Sequence, residues 1–279
     1  MIELGDNRYG KQAIRLVRVV KDADRHVVRD LTVGITLEGA FGPSYIAGDN
    51  SDVVATDTMK NTVYAFARDR FDGSIEAFGR TLAEHFAGIA PVTRATVALR
   101  EHRWERLVVG GKPAADAFVR DGSWTRVASV VADDDGETIE AGIEDLAVMK
   151  TAKSSFEGFP RDEYTTLADS NDRIMATQVS ARWRYISPDI DHDAVFEAVR
   201  ATFLEVFAEH DSPSVQASIW IVGRAILERH PEVAEVSMAL PNLHHWLVDL
   251  APFGLDNPAL VFVSTREPHG LIEATVRRA

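Results

Sequence analysis

Apolar and polar residues alternate along much of the chain, and the period of the alternation changes in a regular order. Leu31, Val33, Ile35 and Leu37 alternate with Thr32, Gly34 and Thr36, the period-two pattern of a half-buried strand. Residues 12–20 are rich in β-branched side chains and read as a second strand, joined antiparallel through Lys21-Asp22-Ala23-Asp24. The period then lengthens. Met59, Val63, Phe66 and Ala67 recur at helical spacing over about 57–69, and Ile75, Phe78, Leu82 and Phe86 form one stripe over about 74–88, ended by Pro91. Alternation returns at Ala95, Val97 and Leu99, in a strand expected to carry on through His102 and Trp104, with a further strand near 117–120.

The second half repeats this order. Residues 124–131 and 139–148 read as strands across an Asp133-Asp134-Asp135-Gly136 turn, followed by alternation at Val179, Ala181, Trp183 and Tyr185. A helix is expected over 191–209 with Val195, Val199, Phe203 and Val206 inward. Another starts at Ser212-Pro213 as cap and first turn, with Val215, Ile219, Val222 and Ile226 inward. Short strands near 233–239, 244–249, 259–264 and 271–276 close the chain. Hairpin, two helices, hairpin, twice over, gives an α+β protein with helices on one face of antiparallel sheet, divided as 1–122 and 123–279. Such sheets have free edges, which association between copies would cover.

Composition narrows the chemistry. The formal charge is −13, which argues against a nucleic-acid or anionic-membrane surface. There are no cysteines, so thiolate catalysis, disulfides and cysteine-held metal are excluded. Adjacent strand residues point apart, so His244 and His245 are not expected to chelate one metal together. No apolar run approaches the ~18 residues of a membrane helix, and the first residues do not read as a signal peptide, so a cytoplasmic protein is expected. No glycine-rich nucleotide loop or nucleophile elbow is present.

One stretch stands apart. After Val53-Val54-Ala55 come Thr56-Asp57-Thr58, where a helix should begin with Asp57 or Thr56 as its cap. The same helix start could seat an anionic or polar ligand. Further polar residues lie where a plain fold does not need them. Asn242 and His244 are two apart, Gln216 sits in the first turn of a helix, and Arg173 and Lys11 open strands. Each alone fits a structural role; Arg173, for example, fits a surface ion pair.

Together these segments carry a resemblance. Asn7-Arg8-Tyr9-Gly10-Lys11, Asp49-Asn50-Ser51 with Val53 to Thr62, Arg161 to Leu167, Ser214-Val215-Gln216-Ala217 and Leu240-Pro241-Asn242-Leu243-His244 resemble urate oxidase (uricase), in that family's order and across essentially the whole chain. The resemblance implies a tandem tunnelling-fold (T-fold) subunit in a homotetramer around a β-barrel tunnel, with active sites at subunit interfaces. It implies oxidation of urate by O2 and water to 5-hydroxyisourate and H2O2, without metal or organic cofactor. By motif, Arg173 and Gln216 would grip the pyrimidine side of urate and Phe156 would stack on it, with Phe159 a nearby competitor. Val215 would offer an amide and Leu167 a pocket wall. Thr56 and the Asp57 amide would face the five-membered ring from a neighbouring subunit. Lys11, Thr56 and His244 would relay protons, and Asn242 with Thr56 would hold O2 or water. A zinc-dependent pteridine enzyme of the same architecture is disfavoured by the missing cysteines, and a non-catalytic purine or pteridine binder by the presence of all three relay residues.

Overall fold

The computed structural model describes residues 1–22 and 25–279, so the Ala23-Asp24 part of the expected first turn lies outside the described residues. The chain forms two compact units, one of residues 1–142 and 184–196, the other of 143–183 and 197–279.

In the first unit β1 (Tyr9–Val20), β2 (Val27–Gly39) and β3 (Val92–Glu101) lie in that order, followed by β6 (Thr125–Asp133) and then β7 (Gly136–Lys150). β1 pairs antiparallel with β2, β2 with β3 and β3 with β6. Leu31, Val33, Ile35 and Leu37 are completely buried, as their alternation requires. Helix α2 (Thr56–Asp69) buries Met59, Val63 and Ala67 and packs on β1; α3 (Ile75–Ala87) buries Ile75, Phe78, Leu82 and Phe86 and packs on β3 and β6. Each large side chain removed from water in this way contributes about 1.5–3 kcal/mol, which makes the helix–sheet seam the main source of the unit's stability. A short helix α1 (Gly42–Ala47) precedes α2.

Two expectations change here. β3 stops at Glu101; Trp104 instead opens β4 (Trp104–Val109), which pairs only with β5 (Lys112–Arg120) in a separate two-stranded sheet. The helix cap also differs. The cap position of α2 is Ala55, with no side-chain cap bond, and Thr56 is already the first helical residue. Asp57 turns the other way, accepting from Lys60 Nζ and, at 2.8 Å, from Asn61 Nδ2.

In the second unit the strand order is β7, β8 (Met175–Tyr185), β9 (Val233–Pro241) and β12 (Leu271–Arg277), with β12 antiparallel to β9. Helix α5 (Val215–Arg229) buries Val215, Ile219, Val222 and Ile226 and packs on β9 and β12. Its cap is Ser214, whose hydroxyl accepts from the Ala217 amide at 3.1 Å; Ser212 and Pro213 precede it, contrary to expectation. Helix α4 (His192–Glu209) buries Val199, Phe203 and Val206 as expected, but Phe196 is fully inward in place of Val195, which is half-buried. A separate hairpin, β10 (His244–Leu247) with β11 (Phe262–Thr265), is inserted before β12.

Apart from the short α1, the order strand, strand, helix, helix, strand, strand therefore occurs twice, each time with a two-stranded hairpin inserted before the last strand. Among the described residues no helix is long and apolar enough to cross a membrane.

Candidate functional site

The residues singled out in the sequence fall into two groups, one in each unit. In the first unit the Tyr9 hydroxyl donates to the Val54 carbonyl at 3.2 Å, and the Tyr9 ring meets Phe41 edge-on at 4.8 Å. These contacts tie the start of β1 to the extended run that feeds α2. Gly10 is required at this seam, because a Cβ there would lie 1.9 Å from the Ile35 carbonyl oxygen. Immediately after Lys11 the pairing of β1 with β2 shifts through a bulge, with Ala13 at φ 57°. Bulges of this kind bend a strand and re-aim its side chains. Lys11 is thereby brought close enough to α2 for its charge to act on Asp57. The Asp57 carboxyl is held below the usual range, first by the hydrogen bond from Lys60 and then by that residue's charge.

Thr56 is half-buried, and among the described residues no hydrogen bond engages its hydroxyl. With no side-chain cap on α2, the first amides of the helix, including that of Asp57, keep their donors and the positive end of the dipole. Lys11 and Thr56 thus border an electropositive helix start with a free hydroxyl.

The second unit holds a cavity of about 330 Å³, within the range of small-molecule sites. Phe156, Leu167, Arg173, Val215, Gln216, Asn242 and His244 all line it. Lys11, Thr56 and Asp57 are not among its lining residues. Phe156 supplies a flat wall, with Phe159 stacked on it at 4.9 Å and 11° and absent from the lining. The Arg173 guanidinium lies 5.1 Å from the centre of the Phe156 ring. Its Nε is buried without a hydrogen-bond partner, and burial lowers its pKa from the ordinary value. An arginine stays charged under that pressure, so Arg173 is a desolvated cation whose donors face a cavity. The ion pair that a surface arginine would have is not formed among the described residues.

Gln216 sits exposed at the second position of α5. Ser214 takes the Ala217 amide, and helix geometry leaves the Val215 and Gln216 amides without an intrahelical acceptor. On the opposite wall, Asn242 bridges to Thr177 and its amide donates to the Gly270 carbonyl at 2.8 Å. His244 and His245 both border the cavity as successive residues of β10. His245 Nδ1 donates to the Leu243 carbonyl at 3.0 Å. His244 stacks on Trp246 at 5.2 Å and has no hydrogen bond among the described residues, so both its ring nitrogens are available. The loop carrying Leu167 is held by Arg161, which donates to the Leu167 carbonyl at 3.2 Å and pairs with Asp169 at 3.1 Å. Trp246, Ile174 and Ile272 also line the cavity and carry no sequence signal; they arrive there by register alone.

The cavity therefore offers an aromatic plane, a bidentate cation, an amide side chain and a helix N-terminus. A sequence model of the uricase family matches residues 7–131 and 139–273. The chain belongs to the uricase family. It is 48% identical over 278 residues to the uricase of Arthrobacter globiformis, covering 99% of this chain and 90% of the relative. It is 40% identical to the uricase of Dictyostelium discoideum, over 100% of this chain and 99% of the relative. The crystal structure of the Arthrobacter globiformis uricase superposes with a TM-score of 0.95, over 100% of this chain and 96% of that one. Urate oxidase from Bacillus sp. TB-90 gives 0.86 at 25% identity, over 98% and 100%. The α+β T-fold expected from the sequence is the fold observed in these uricases.

Family membership also draws attention to a local repeat that the sequence reading missed. Ser74-Ile75-Glu76-Ala77 opens α3 as Ser214-Val215-Gln216-Ala217 opens α5, and in both the serine accepts from the alanine amide at 3.1 Å. In this uricase-family chain Glu76 is sealed where Gln216 is open. Arg126 donates to Glu76 at 2.7 Å and to Asp193 at 2.6 Å, and lies 4.2 Å over Phe196. Burial opposes the Arg126 charge, but the two carboxylates outweigh it and hold its pKa above the ordinary value. The first unit has filled the equivalent position with its own guanidinium.

Proposed function

We infer that the chain oxidises urate with O2 and water, yielding 5-hydroxyisourate and H2O2. The observation that carries this reading is Arg173: a half-buried arginine whose Nε is buried without a hydrogen-bond partner, beside the face of Phe156 on the wall of a small cavity. Urate near neutral pH is a planar monoanion, and it supplies the flat ring and the paired acceptors that this arrangement lacks. Arg173 and Gln216 would bind the pyrimidine edge, Phe156 would stack on the plane, and the Val215 amide would add the helix N-terminus. Leu167 closes the wall.

The remaining elements come from the first unit. Lys11, Thr56 and His244 form the proton relay in this reading. The free Thr56 hydroxyl passes a proton between the amine and the imidazole, while Asn242 and Thr56 hold O2 or water above the ring. Removing protons makes urate electron-rich enough to reduce O2, and the chain's own residues contribute position and proton transfer. Supporting a site shared between copies, the cavity lining contains only second-unit residues, while Lys11, Thr56 and Asp57 lie in the first unit. Assembly as a homotetramer would join the two and cover the free sheet edges. The tandem halves were expected to meet at 122/123; the repeated element order favours a seam in the β6–β7 turn. A cytoplasmic location fits the composition.

The test is urate loss by ultraviolet absorbance together with O2 uptake, using purified protein in air. Equimolar consumption with H2O2 formation is expected. Urate binding without O2 uptake would replace this reading with a non-catalytic purine binder, and the absence of binding would refute both.

A further inference from the structure

Behind the cavity wall lies a set of buried polar side chains that the urate reading leaves unused. Ser212 and Ser218 are 2% and 1% exposed, and His210 is half-buried beside them. Their backbone neighbours carry the binding residues. Ser154 and Ser212 form a parallel bridge, in which the Ser155 amide donates to the Ser212 carbonyl at 2.8 Å and the Ser212 amide to the Lys153 carbonyl at 2.9 Å. From this junction one segment runs directly to Phe156. The Ser154 carbonyl accepts from the Arg173 amide at 2.8 Å. The other segment runs through the Ser214 cap to Val215 and Gln216. Three walls of the cavity are thus referenced to one crossing point.

The side chains at that crossing form a directed chain. His210 Nδ1 lies 2.7 Å from the Val206 carbonyl, which can only accept, so Nδ1 carries the proton. In the neutral ring Nε2 must then accept, and the Ser218 hydroxyl donates to it at 2.8 Å. Ser218 Oγ in turn accepts from Ser212 at 2.8 Å; the alternative acceptors of these hydroxyls, the Ser214 carbonyl and Met175 Sδ, are 3.1 Å or more away. Lys150 donates to the carbonyls of Phe207, Ala208 and His210 where α4 ends. Burial, and then the Lys150 charge, lowers the His210 pKa and keeps the ring in its accepting form.

We propose that Ser212, Ser218 and His210 are positioning residues for the substrate cavity, holding the crossing from which Phe156, Arg173 and Gln216 project. The proposal rests on the urate reading above. Its test compares Ser218→Ala with Thr202→Ala. The control removes the same kind of bond, Thr202 to His230 Nε2 at 2.8 Å, at a place in the same unit with no hydrogen bond to Ser212, Ser218 or His210 among the described residues. Ser212→Ala serves as an independent second variant. Losing a buried hydrogen bond at the crossing should raise both the KM for urate and the Kd measured with urate under anaerobic conditions by about tenfold, with kcat changed far less. Thr202→Ala should lower the melting temperature and leave both constants unchanged. If the parent binds urate and both serine variants match Thr202→Ala, or lose only kcat, the positioning role is overturned. A parent that binds no urate overturns the functional reading and this proposal together.

Discussion

Replacing Arg173 by methionine should separate function from stability. Methionine keeps the apolar stem and removes the guanidinium. In the unliganded protein that group has a buried Nε with no partner, an arrangement that costs about 1–3 kcal/mol. Against that stands its contact with Phe156 at 5.1 Å, worth roughly 0.5–2 kcal/mol at a partly desolvated site. The two nearly cancel, so Arg173→Met should melt at or slightly above the parent temperature. Binding is a different matter. Two charge-assisted bonds to the urate anion contribute roughly 1.5–3 kcal/mol each, so their loss should weaken anaerobic urate binding by about a hundredfold or more. Thermal unfolding and equilibrium binding on one preparation measure both quantities. A variant that melts several degrees lower while its Kd stays within about threefold of the parent would show that Arg173 is structural, and would refute the argument.

Thr56→Ala and Lys11→Met should reduce kcat far more than urate affinity, because the proposed relay assigns both residues to proton transfer; steady-state kinetics with anaerobic binding separates the two effects, and equal losses would count against the relay. Glu76→Ala should destabilise by about 3–5 kcal/mol, since it leaves the buried Arg126 with only the half-exposed Asp193, and denaturant unfolding checks it. Glu76→Gln, which loses the charge but keeps a hydrogen-bonding oxygen, should cost less, and equal costs would show that the charge alone carries the interaction. Stability should also fall below neutral pH. His85, His102, His192, His210 and His230 all have pKa values lowered chiefly by burial. The unfolded chain therefore takes up protons first, so stability is full above roughly pH 6.5 and declines as pH drops below it. A melting temperature that is flat or rising from neutral to mildly acidic pH would contradict this sign.

Elements with one buried face were legible because burial imposes a period. Leu31 to Leu37 and Ile75 to Phe86 are completely buried on one side, and their spacing alone identified a strand and a helix. β4 was missed because it is exposed at nearly every position, so nothing forces alternation. Caps were misplaced for a similar reason. Thr56, Asp57, Ser212 and Ser214 are all competent cap residues, and only backbone geometry selects Ser214 and rejects Thr56. That rejection leaves the Thr56 hydroxyl without a hydrogen bond among the described residues, which the proposed relay needs. These cavity-lining residues emerged from joint motifs, because Arg173, Gln216 and Asn242 are individually ordinary. Trp246 and Ile272 were invisible, since their place on the cavity depends on hairpin and strand register.

The central claim is that the Thr56 end of one subunit completes the Arg173 cavity of another to oxidise urate. Mixing two inactive variants tests it directly: Thr56→Ala, which keeps an intact cavity, and Arg173→Met, which keeps an intact relay. Co-expressed or refolded together, they should form hybrids in which some sites receive both native halves, and urate oxidation should return. If both halves of every site lie within one chain, no mixing can reunite them. Hybrids no more active than the sum of the separate variants would contradict the shared site.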